Sequence, residues 1–102
     1  MRQLVKIDTA VTNTELVAAV AGQVVAVLQY NIVAAGAVTA QFKSATTGLT
    51  GAMSMITGVQ IRDAIPDFER GPLFQTAKGE ALNLVLSSTV QVSGHMIVEK
   101  TS

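Results

Sequence analysis

The chain has no cysteine and no tryptophan, and only 14% of its 102 residues are charged. Each shortage excludes something. Without cysteine there is no disulfide framework and no thiolate metal site, which fits a reducing compartment and leaves stability to packing or assembly. Seven basic and seven acidic side chains cancel, so no broad positive field gathers nucleic acid or anionic membrane. Histidine occurs once, at His95, and no serine motif or cysteine completes a nucleophile and base; the chain is not expected to be an enzyme. Glycines 48, 51, 58, 71, 79 and 94 are scattered between extended segments and build no phosphate-cradling pattern, so no cofactor is expected either.

Apolar residues, by contrast, make up 49% of the chain, the top of the ordinary range. Residues 16–40 carry no charge at all and are long enough to cross a bilayer as a helix. Gln23, Gln29 and Asn31 in the middle, the run of β-branched valines, and the absence of flanking Lys/Arg argue against a span. Ala19-Val20-Ala21 mimics a signal-peptide cleavage site, but Asp8 and Glu15 sit where such a signal avoids acid.

Period-two patterning dominates. In residues 23–34 the even positions read Val24, Ala26, Leu28, Tyr30, Ile32, Ala34, which predicts a strand, or two joined by a kink. Val25, Val27 and Val33 make the opposite face apolar as well, as in a strand covered twice. A second subunit would supply that cover, which makes Val25, Val27 and Val33 the candidate subunit interface. Val38, Ala40 and Phe42 alternate with Thr39, Gln41 and Lys43; Leu82, Leu84 and Leu86 alternate with Asn83, Val85 and Ser87; Val90, Val92, Met96 and Val98 share a face in the last segment, where Gly94 marks a bend or bulge. With short strands at 4–7, 15–20, 52–56 and 73–75, the pattern predicts an all-β domain over residues 1–102. Its class is an antiparallel, jelly-roll-like β-sandwich of about eight short strands. Residues 1–14 are expected as an N-terminal arm ending in an edge strand.

Residues 58–71 are the least regular, holding Pro66 and five of the charges, with Pro72 next after them. They read as an exposed loop flanked by short strands. Arg62, Asp63, Asp67, Phe68, Glu69 and Arg70 are the candidate partner-docking residues, Phe68 being an apolar ring set between two acids. Asp63, Asp67 and Glu69 could be weighed as a calcium site, but their spacing matches no EF-hand loop and Arg62 and Arg70 compete for the carboxylates, so no metal is expected. Tyr30, Phe42 and Phe74 are expected in the core, which leaves little for a sugar-stacking platform.

The run Gly71-Pro72-Leu73-Phe74-Gln75-Thr76, then Gly79-Glu80-Ala81-Leu82-Asn83-Leu84 and Val90-Gln91-Val92-Ser93-Gly94, resembles a family of small jelly-roll phage head-decoration, or capsid cement, proteins. The likeness extends through Val38-Thr39-Ala40-Gln41-Phe42-Lys43-Ser44 and Thr47-Gly48-Leu49-Thr50-Gly51. It implies a homotrimer seated on the capsid exterior, made in the host cytoplasm, with the major capsid protein as partner. Alternatives are a phage tail, baseplate or fibre component and a small carbohydrate-binding module.

Overall fold

The computed structural model describes residues 2–64 and 72–101. Its elements are all strands: β1 (Arg2–Thr9), β2 (Asn13–Val17), β3 (Val24–Ala34), β4 (Val38–Ser44), β5 (Thr47–Gly48), β6 (Met53–Met55), β7 (Gln60–Ala64), β8 (Phe74–Gln75), β9 (Leu82–Leu86) and β10 (Val92–Thr101). The first sheet runs β1-β10-β3-β7, with β8 also on β3; the second runs β2-β9-β4-β5, with β6 also on β4. Every pairing within the sheets is antiparallel.

Setting aside the two-residue strands β5 and β8 leaves eight. The first of these pairs with the last, the second with the penultimate, and chain-neighbouring strands lie mostly in opposite sheets. This is jelly-roll connectivity. The uncharged residues 16–40 are divided among β2, β3 and β4, and among the described residues no helix is long and apolar enough to cross a membrane.

Alternation decides which side chains enter the core. In β4 every second residue from Val38 to Ser44 is buried, and in β9 Leu82, Leu84 and Leu86 are. β1 turns Val5 and Ile7 inward, and β10 turns Val92, Met96 and Val98 inward. Residues 2–9 are therefore not an arm: their two buried apolar side chains and the full-length ladder with β10 make them a sheet strand. Phe42 is fully buried, and its ring centroid lies 5.1 Å from Tyr30 and 5.5 Å from Phe74. Tilted rings at such separations add attraction beyond their buried area.

β3 departs from simple alternation, and the departure corrects one expectation. Ile97 of β10 pairs with Gln29 while Val98 pairs with Val27, so Leu28 is left unopposed as a bulge. One extra residue reverses the facing of everything beyond it. Tyr30, Ile32 and Ala34 face inward on one side of the bulge; Val25 and Val27 face inward on the other. Val25 is 3% and Val27 0% exposed within a single chain, so neither can form a subunit interface. Of the three valines only Val33, half-buried and paired with Ser93 and Gln60, stands on the outer face.

Two further features tie the sheets. Thr76 and Ser44 are buried polar residues. The Val25 N–H donates to Thr76 Oγ1 and the Thr76 N–H returns a bond to the Val25 carbonyl, both at 2.9 Å. Beside it the Ala77 N–H donates to Ser44 Oγ at 2.9 Å, and that hydroxyl donates to Glu80 Oε1. The loop after β8 is thus pinned to β3 of one sheet and β4 of the other, with its buried groups satisfied. At Gly94 of β10, φ is +152° and a Cβ would lie 1.9 Å from the Asn31 carbonyl oxygen. Only glycine fits so close an approach of β10 to β3.

Candidate functional site

The turns at one end of the sandwich are brought together by its ladders. Thr9 pairs with Val92, Val92 with Ala34, and Val38 with Met55. The Gly58 N–H donates to the Ala34 carbonyl, Ala35 N–H to Gln91, and Leu86 N–H to Thr12. Residues 10–12, 35–37, 56–59 and 87–91 therefore share this end, and none of them is charged. Three of the most exposed large apolar side chains stand here: Val11 at 54%, Ile56 at 62% and Val59 at 47%. Ile56 and Val59 stand together before β7, and Val11 stands after β1 at the opposite edge of the same sheet. Exposed apolar residues scattered singly mean little, so it is their sharing one uncharged set of turns that makes this end a candidate contact surface.

The outer face of the first sheet is polar. Register sets Lys6, His95, Asn31 and Arg62 in one row across β1, β10, β3 and β7. A groove of about 430 Å3 opens there, lined by Gln29, Tyr30, Asn31, Arg62, Asp63, Ala64 and His95. Of the candidate docking residues, Arg62 and Asp63 belong to β7, whose pairing with β3 replaces the irregular loop expected there. Asp67, Phe68, Glu69 and Arg70 lie outside the described residues. His95 is an exposed residue of the polar face.

Asp63 stands opposite Tyr30 in the ladder. The Tyr30 phenol is pushed above its usual titration range, first by burial and second by the negative charge of Asp63. Its hydroxyl donates to Met53 Sδ at 3.6 Å. With Tyr30, Phe42 and Phe74 stacked together inside, the described aromatic rings form no exposed platform. Among the described residues no group of three or more His, Cys, Asp or Glu is placed to hold a metal ion.

No family model matches the chain. No curated protein matches it either. A solved structure of Bacillus endospore appendages, which form disulfide-linked pili, superposes with a TM-score of 0.56 at 14% identity, covering 100% of this chain and 87% of that one. The two share a fold. The present chain has no cysteine with which to form such a link. The C-terminal domain of the sugar-binding protein EclA gives a TM-score of 0.49 at 9% identity, covering 95% of this chain and 76% of that one. The virus-like particle of the extra small virus of the giant freshwater prawn Macrobrachium rosenbergii gives 0.44 at 11%, covering 96% and 78%.

The site that sequence reasoning missed is the uncharged end. Its signal was present, since four widely separated turn segments all lack charge, but only the strand order places them side by side.

Proposed function

We propose that the chain is a structural virion protein that decorates the outside of a phage head, binding the major capsid protein through the uncharged end of the sandwich. The observation that carries this reading is the exposure of Val11, Ile56 and Val59 at one end of the sandwich, on two of its four turns free of charge. Such an end suits burial against an apolar or uncharged protein surface, where a charge left unpaired would cost several kcal/mol. The resemblance of residues 71–94 to capsid cement proteins supplies the partner. The aromatic core leaves the carbohydrate-module reading without a stacking surface among the described residues.

The test is co-sedimentation of the purified protein with genome-free, expanded phage heads. Wild type is expected to pellet with the heads, and Ile56→Asp and Val59→Lys, both exposed and hence folded, are expected to stay in the supernatant. Wild type that remains in solution, or variants that bind as well as it does, would refute the proposal. Location of the protein on the tail by cryo-electron microscopy would replace it with the tail or fibre reading.

A further inference from the structure

Unpaired sheet edges present N–H and C=O groups that recruit other strands, and natural sandwiches blunt them. Three of the four edges here are blunted. β2 is five residues long and its register breaks between Glu15 and Val17. The far edge of the second sheet is divided between β5, of two residues, and β6, of three. The far edge of the first sheet is divided between β7 and the two-residue β8. β1 differs. It runs for eight residues without proline or register shift, its one blunting device being the exposed charges of Arg2, Lys6 and Asp8, and among the described residues no strand flanks its other side.

We propose that β1 pairs antiparallel with β1 of a second copy of this chain, centred on Val5, a two-fold assembly in place of the homotrimer that the resemblance implies. Alternate residues fix the register. Arg2, Leu4, Lys6 and Asp8 stand on the outer face while Val5 and Ile7 face the core. A slip of one residue would set outer side chains opposite core ones, so only registers centred on a single residue keep both faces consistent. Centring on Leu4 sets Arg2 opposite Lys6, and centring on Lys6 sets Lys6 opposite itself; both oppose like charges. Centring on Ile7 sets Lys6 opposite Asp8 but joins only residues 5–9, against 2–8 for a centre at Val5. Centring on Val5 sets Arg2 of each copy opposite Asp8 of the other, twice by symmetry, and Lys6 opposite Leu4.

The same register treats Leu4, which at 69% is the most exposed of the large apolar side chains. The two Leu4 residues become diagonal neighbours, about 7–8 Å apart, within reach of each other. The Lys6 stem covers each one, its ammonium lying 3.7 Å from Asp8 of its own strand. Asp8, which also accepts from Gln91 Nε2, would thus be shared between Lys6 and Arg2 of the second copy. Arg2 then lies between Glu99 of its own sheet, with which it pairs at 3.7 Å, and Asp8 of the second copy. The first sheet becomes continuous through both molecules. The uncharged end of each copy is left open, but because the paired strands run antiparallel the two ends point in opposite directions, so only one copy of a dimer can seat on a given head.

Sedimentation velocity over a concentration series tests the seam. Wild type is expected to dimerise. Arg2→Glu and Asp8→Lys each set like charges opposite one another at two places, and each should weaken the dimer about tenfold or more. The double variant Arg2→Glu/Asp8→Lys restores opposite charge and should recover affinity, while Leu4→Lys should lose it. All three positions are exposed, and unchanged melting curves would show the fold intact. A wild type that stays monomeric, a double variant no tighter than either single one, or β1 amides whose deuterium exchange does not slow on dimerisation would overturn the proposal.

Discussion

Val27 and Val33 are the same residue type at the same parity in one strand, yet the bulge at Leu28 puts one inside and the other outside. Truncating each to alanine measures that reversal. Val27→Ala removes two fully buried methyl groups, worth about 1.6 kcal/mol of transfer free energy. A residual void of roughly 40 Å3, at about 24 cal/mol per Å3, adds about 1 kcal/mol. The total near 2.5 kcal/mol corresponds to a fall in Tm of about 10–20 °C for a domain of this size. Val33→Ala, on the half-buried outer face, should cost no more than about 0.5 kcal/mol. Urea titrations followed by circular dichroism give both values. Equal losses, or a larger loss at Val33, would mean that the facing does not reverse at Leu28, and the correction to the interface would fall with it.

Gly94→Ala would drive a Cβ against the Asn31 carbonyl; a loss of roughly 3 kcal/mol is expected from overpacking and backbone strain together, read from thermal melts. Thr76→Val keeps shape but removes the acceptor of the buried Val25 N–H, and chemical denaturation should show a cost of about 1–3 kcal/mol. Tyr30 is the only tyrosine, so phenolate absorbance reports on it alone. Because its folded-state pKa is raised, stability is constant below the unfolded value near 10 and falls as pH rises past it. Tyr30→Phe should flatten that alkaline loss, and a wild-type phenol that titrates at the free value without unfolding would contradict the placement.

Strand patterning was legible wherever alternation was undisturbed. Val38, Ala40 and Phe42, the three leucines of β9, and Val92, Met96 and Val98 all lie where period two puts them. The errors have one physical origin each. Nothing in the sequence of residues 24–34 marks Leu28 as the unpaired residue, since valine and leucine suit either face; the apolar surplus that looked like a second covered face is a single face that changes sides. At residues 2–9 the pattern predicts only a short strand at 4–7, within an arm over 1–14, because Arg2, Lys6 and Asp8 leave just Val5 and Ile7 as an inner face, and only the ladder with β10 shows that the strand runs the full length. The uncharged end escaped notice because its four turns meet only through long-range pairing, whereas Tyr30 and Phe42 each fall in line with apolar neighbours two residues away.

Pairing of the first strand with the last also governs how the molecule can form. Arg2 finds its partner at Glu99, and β10 bridges β1 to β3 along its whole length. Until β10 has emerged from the ribosome, the first sheet lacks its central member, and β1 and β3 have nothing to join them. Assembly of the first sheet therefore waits for β10 and, for so non-local a ladder, runs on the millisecond-to-second scale. A circular permutant that links residue 101 to residue 2 and opens the chain at the Gly79 turn would convert that distant pairing into a hairpin, and should fold faster with little change in final stability.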